Sequence, residues 1–184
     1  DVQAGDLLAG GVFDPATLPG LQSYNGMLLF TVDLRVPGVA NVVQVKLDFM
    51  MTAVSPARFT GKVRERLTDS GLELLVQVDV KRKGYYFTQG LLFDAGGAPI
   101  GYAVARDTWD VGLHEARFAF FGLLFHQAKA EAPFVLRWLT GSRLPDPDDG
   151  EPFKTELEPY LGEYRTRTYQ LSDFSSAEYE SAEK

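Results

Sequence analysis

Period-two alternation of apolar and polar residues most narrows the folds open to this chain. From Met27 to Val36, Leu28, Phe30, Val32, Leu34 and Val36 share one parity, while Thr31, Asp33 and Arg35 take the other. After Pro37-Gly38 the pattern resumes, with Val43, Val45, Leu47, Phe49 and Met51 set against Gln44, Lys46 and Asp48. Successive side chains of a strand point to opposite faces, so these segments specify half-buried antiparallel strands.

Residues 1–26 are turn-rich, and Ser55-Pro56-Ala57-Arg58 reads as a connector. Beyond it strands recur at a spacing of about 8–12 residues, as in a sandwich or barrel. They are expected at 59–67, 72–80, 85–93, 99–106, 113–121, 123–126, 133–140 and 164–171. Asp69-Ser70-Gly71 and Asp94 to Gly97 supply hairpin turns, where glycine takes the positive φ such turns demand. Good helix formers follow one another only over His126 to Ala132, about two turns, which is marginal without packing. The expected class is all-β, with residues 1–56 as an irregular segment plus hairpin, 57–175 as the sandwich and 176–184 as an acidic tail. The first hairpin either adds strands to the same sandwich or belongs to a truncated second module.

Composition excludes several functions. The longest apolar run, Phe118 to Phe125, falls far short of the ~20 residues a spanning helix needs, so no membrane insertion is expected. A net charge of −7 argues against a phosphate-tracking nucleic-acid binder. The one basic cluster, Lys81-Arg82-Lys83, reads as a solvated turn. Absence of cysteine removes disulfides, thiolate catalysis and cysteine metal sites. A start at Asp1 suggests a processed form or an excised fragment.

Chemistry-bearing residues are few. His114 and His126 are the only histidines, and neither lies near a Gly-x-Ser-x-Gly elbow or a zinc-type helix motif. Asp107, Asp110 and Glu115 lie close along the chain, with Trp109 among them able to stack on a sugar ring. Asp146, Asp148, Asp149 and Glu151 resemble half of a calcium loop, although Gly150 stands where a ligand would be needed and a solvated acidic loop is the simpler reading. The stretch Gly84 to Tyr102 holds five aromatic rings. Parity assigns Tyr85, Phe87, Gln89, Leu91 and Phe93 to the core and Tyr86, Thr88, Gly90, Leu92 and Asp94 to the exposed face. The bulky residues of Ala116-Phe118-Phe120 and of Phe134-Leu136-Trp138 likewise share one parity and read as core. Tyr86, Tyr102, Trp109 and Asp110 remain as candidate ligand contacts.

Five marks in the second part of the chain form a pattern: Gly84 to Tyr86, the turn Asp94 to Gly97, Gly112, Phe120 to Gly122, and Ala132 to Leu139. The closing Tyr169-Gln-Leu-Ser-Asp-Phe174 completes it. Over about residues 60–175 the chain resembles a module of large bacterial envelope and secreted proteins. The resemblance implies an antiparallel immunoglobulin-like β-sandwich, often beside von Willebrand A or peptidase domains, with no catalytic residues to carry over. The expected role is a non-catalytic structural, adhesion or protein-interaction module, in the periplasm, on the outer surface or outside the cell. Its partner would be an envelope protein or a neighbouring domain of a longer chain. The alternative is a carbohydrate-binding module braced by Ca2+, with no other cofactor expected. A third reading has the strands at 27–36 and 42–51 completing a neighbour's sheet.

Overall fold

The computed structural model describes residues 13–35, 38, 40–146, 148 and 152–177 of the 184. The chain divides into two units, Asp1–Val54 and Ser55–Lys184. In the first, β1 (Asn25–Leu34) and β2 (Val43–Thr52) form an antiparallel hairpin. Its register sets Leu28 opposite Phe49, Phe30 opposite Leu47 and Val32 opposite Val45. Directly opposed residues share a face, so the alternation of both strands gathers one apolar side. Phe13 meets Phe30 edge-on at 4.6 Å, and Phe30 stacks on Phe49 at 4.9 Å. The Asn25 side chain closes the open end by accepting the backbone N–H of Ala53 at 2.9 Å and of Val54 at 3.2 Å.

The second unit is an all-β sandwich of antiparallel sheets. One sheet holds β3 (Ala57–Thr68), β4 (Gly71–Val80) and β7 (Gly112–Phe121), in that order. The other runs β10 (Tyr164–Arg165), β8 (Val135–Arg143), β5 (Gly84–Phe93), β6 (Pro99–Trp109), with β9 (Thr155–Glu156) also on β8. The chain crosses between sheets after β4, β6 and β7, which is Greek-key connectivity of the immunoglobulin-like kind. Between the layers lie Leu72, Leu74, Val76 and Val78 of β4, Phe118 and Phe120 of β7, Leu92 of β5 and Leu136 and Leu139 of β8, all buried. At the β3–β4 turn Gly71 has φ +150°, and a Cβ there would stand 2.1 Å from the Phe120 carbonyl oxygen. Glycine is the only residue that fits beside this strand pair.

Two expected strands take another form. Residues 123–126 lie within α1 (Gly122–Ala128), a short helix closed by Lys129 in the left-handed region at φ 48°. A short apolar run such as Gly-Leu-Leu-Phe satisfies a buried helix as well as a strand, and periodicity cannot separate them. The segment 164–171 pairs only at Tyr164–Arg165 and otherwise runs as an extended clasp. Beyond that pair it is held by the Thr166 backbone N–H on the Phe134 carbonyl at 2.9 Å and by side chains. Glu65 accepts the hydroxyls of Tyr164 and Tyr169, each at 2.7 Å, and Phe174 stacks on Phe125 at 4.2 Å.

The parity expected for β5 is reversed from Tyr85 to Leu92, while Phe93 is buried as expected. Tyr86 is 0% and Leu92 is 0% exposed, whereas Tyr85 is 44% exposed. The interior is tight there, and it selects the small residues. A Cβ on Gly90 would stand 2.7 Å from the Leu139 side chain, and Thr88 is fully buried beside it in sequence. The ring that enters is the one whose polar end is satisfied, since the Tyr86 hydroxyl donates to the carbonyls of Arg82 and Pro56. Trp138 also departs from the reading that grouped it with Phe134 and Leu136. A bulge opposite Gly90 shifts the β5–β8 register, and Trp138 turns outward with φ 54°.

Candidate binding face

The two outer faces of the sandwich differ in chemistry. On β3–β4–β7 charges are matched. Arg64 clasps Glu115 through two bonds of 3.0 and 2.8 Å, Glu73 lies between Arg66 and Arg117, and Asp79 meets Lys81 at 2.7 Å and Arg58 at 3.3 Å. The hydrogen bond from Arg64 holds the Glu115 carboxyl below its ordinary range, and that from Lys81 does the same for Asp79. Such exposed pairs contribute little each, and they make the middle of this face a solvated one, with Leu113 and Phe121 exposed at the two ends of β7.

The outer face of β6–β5–β8 carries rings. Opposite residues again fall in rows: Tyr102–Leu91–Arg137, then Val104–Gln89–Thr140, then Arg106–Phe87–Ser142. Tyr102 is 70% and Trp138 61% exposed. Trp138 meets Phe93 edge-on at 5.4 Å, which fixes the indole on this face, and the Arg137 guanidinium lies 5.6 Å over the same Phe93 ring. Arg106 lies 5.3 Å over Phe87. Between the rings, Gln89 Nε2 donates to Thr140 Oγ1 at 3.1 Å. Arg137 and Arg165 share one carboxylate, Glu163, at 2.9 and 2.7 Å, and the two hydrogen bonds, Arg165 first, hold that carboxyl below its usual range. A recess of about 300 Å³ opens beside the indole, bounded by Arg137, Trp138, Leu161, Gly162 and Glu163.

Of the residues selected from the sequence, only Tyr102 lies on this face. Tyr86 and Trp109, at 0% and 4% exposure, are interior and cannot offer a ring to a ligand. Asp110 is exposed at the β6–β7 turn, where its carbonyl accepts Nε2 of His114 at 2.8 Å. The other histidine, His126, donates Nε2 to the Phe174 carbonyl at 2.9 Å. Asp107, Trp109 and Glu115 do line one groove of about 370 Å³ between β6 and β7. There Glu115 is committed to Arg64 with its carboxyl held low, the opposite of what a general acid requires. Asp146 Oδ1 accepts the backbone N–H of Asp148 at 3.0 Å, an Asx turn, while Asp149 and Glu151 lie outside the described residues. Among the described residues no three His, Asp or Glu side chains converge as a metal site would require.

Tyr85, Leu91, Arg106, Arg137 and Trp138 were not anticipated as contacts. The signal available was Gly90 with Thr88, since small residues sharing one parity of β5 mark the crowded side of a sheet. No family model and no characterised protein sequence matches the chain. Among solved structures it is similar to a DUF4785 family protein from Legionella pneumophila, with 19% identity and a TM-score of 0.45 over 83% of this chain. The match spans 38% of that protein. No helix among the described residues is long and apolar enough to cross a membrane.

Proposed function

We propose that the second unit is a non-catalytic binding module of a bacterial envelope or secreted protein, with the outer face of β6–β5–β8 as its contact surface. The observation that carries this reading is Trp138. It is a large apolar side chain in a left-handed backbone conformation, at φ 54°, inside a strand, and it is turned to solvent. For a non-glycine residue that conformation costs about 1–2 kcal/mol. Strain of this kind is kept where the surrounding structure overdetermines it and the displayed group is used. Tyr102 and Tyr85 enlarge the apolar area on the same face, whereas the middle of the opposite outer face is occupied by matched charges, with Leu113 and Phe121 exposed at the ends of β7. Placement in the envelope rests on the sequence marks from Gly84 to Phe174.

The test compares the wild-type chain with Tyr102→Ala and Trp138→Ala for binding to bacterial cell-wall preparations and to immobilised polysaccharides. The expected result is binding by the wild type that both variants lose while keeping the wild-type melting temperature. Equal binding by wild type and variants would overturn the reading, as would no binding by the wild type.

A further inference from the structure

We propose that this face takes an extended polysaccharide bearing carboxylates, a uronate-type polymer; the inference rests on the binding-face reading and names its ligand class. Two features favour a sugar chain over a protein partner. The face is three strands wide, so rings on β6 and β8 are separated by about two strand spacings, ~10 Å. They are therefore disposed across the strands, where a linear polymer crossing the sheet would meet them in succession.

The rings also alternate with polar groups in place of merging into an apolar centre. Leu91 and Arg137 follow Tyr102 along one row, and the hydrogen-bonded Gln89–Thr140 pair occupies the next. A protein–protein contact of substance has a charge-depleted apolar centre with polar groups at its rim. Here amide, hydroxyl and guanidinium groups stand beside the rings, so a ligand with apolar C–H faces and a fringe of hydroxyls fits both at once.

Charge then selects among sugars. Although the whole chain carries −7, the outward positions of these strands and the residues flanking β9 and β10 present Arg106, Arg137, Arg165 and Lys154 against Glu163 and Glu156, while Asp107 of β6 falls on the other parity. Lys154 and Glu156 neutralise each other at 2.7 Å, and one Glu163 serves two arginines. Arg106 lies over Phe87 and has no carboxylate partner among the described residues. A guanidinium already braced over a ring presents its remaining N–H groups as a fork that suits a carboxylate. The surplus positive charge lies where the rings are exposed.

The test is affinity electrophoresis and calorimetry of the full chain on polygalacturonate, alginate and hyaluronan, with dextran, mannan and xylan as neutral polymers and polyglutamate as a non-sugar polyanion. The expected result is retention by at least one acidic polysaccharide, weakened by salt, with neutral polymers and polyglutamate bound about tenfold less tightly or worse. Tyr102→Ala and Trp138→Ala should each weaken binding by about tenfold or more. Arg106→Gln should weaken it selectively for the acidic polymers. Acrylamide quenching of tryptophan emission should fall on binding in the wild type and not in Trp138→Phe. Equal binding of neutral and acidic polymers, equal binding of polyglutamate, or no binding of any acidic polysaccharide overturns the inference. If no polysaccharide binds but cell-wall material binds in a manner lost in Trp138→Ala, the ligand class is wrong and the binding face stands. If the ring variants keep every interaction of the wild type, both fall.

Discussion

Tyr86 stacks on Trp109 at 5.1 Å, with ring planes 28° apart, and both rings are enclosed by the sandwich. The two residues are adjacent across the β5–β6 ladder, where Gly84 pairs with Trp109 and Tyr86 with Asp107. Their contact joins the end of one sheet to the core, and the Tyr86 hydroxyl ties the same region to the carbonyls of Arg82 and Pro56. Trp109→Ala should therefore destabilise the unit by about 3–5 kcal/mol, the usual cost of emptying a large aromatic site. Chemical denaturation read by circular dichroism measures it, and a loss under 1 kcal/mol would show that the ring is not core.

Trp138 should behave in the opposite way. Its removal empties no interior space, and glycine adopts the left-handed conformation without strain, although glycine is also freer in the unfolded chain. These terms nearly cancel. Trp138→Gly should leave the denaturation midpoint within about 0.5 kcal/mol of wild type. A loss of several kcal/mol would mean that the indole is a structural prop for Phe93 and would remove the argument for display.

How the sequence encodes these two tryptophans explains what was legible in it. The all-β class, the hairpin of β1 and β2, and the inward set Ala116, Phe118 and Phe120 follow from alternation and turn glycines, because parity is a local property. The face of β5 was not legible from hydrophobicity, since both parities carry bulky rings. It is decided by partners distant in sequence: Leu139 and Leu136 crowd Gly90, and Pro56 accepts the Tyr86 hydroxyl. Trp138 escaped for the related reason that a bulge resets parity within one strand. The candidate face is built from these reversals, and only Tyr102 could be selected before the register was known.

The Glu65 clasp gives a third expectation. One carboxylate accepts Tyr164, Tyr169 and the Arg167 backbone N–H, the last at 3.0 Å, and so holds the closing segment against β3. Glu65→Ala leaves two phenol hydroxyls without their acceptor in a part-buried place. A cost of about 2–3 kcal/mol is expected. A cycle with Tyr164→Phe should show coupling, because both substitutions remove the same bond. Strict additivity would show that the bond contributes nothing.

The same clasp should set an alkaline limit to stability. Burial, and then the hydrogen bond to Glu65, push the Tyr164 and Tyr169 hydroxyls above the ordinary tyrosine value of 10.0. The neutral phenol is thus the form that the folded chain favours. Below pH 10 the unfolded chain also holds its tyrosines neutral, so the contribution of the clasp is fully present. As pH rises past 10 the unfolded tyrosines ionise first, and stability falls until the folded values are reached. The denaturation midpoint of the wild type should therefore drop more steeply between pH 9.5 and 11.5, values chosen as roughly bracketing that titration, than that of Tyr164→Phe/Tyr169→Phe. Lysines and the remaining tyrosines titrate in both proteins and cancel in the comparison. Parallel pH profiles would show that the two phenols are not protected by Glu65 and that the clasp is open in solution.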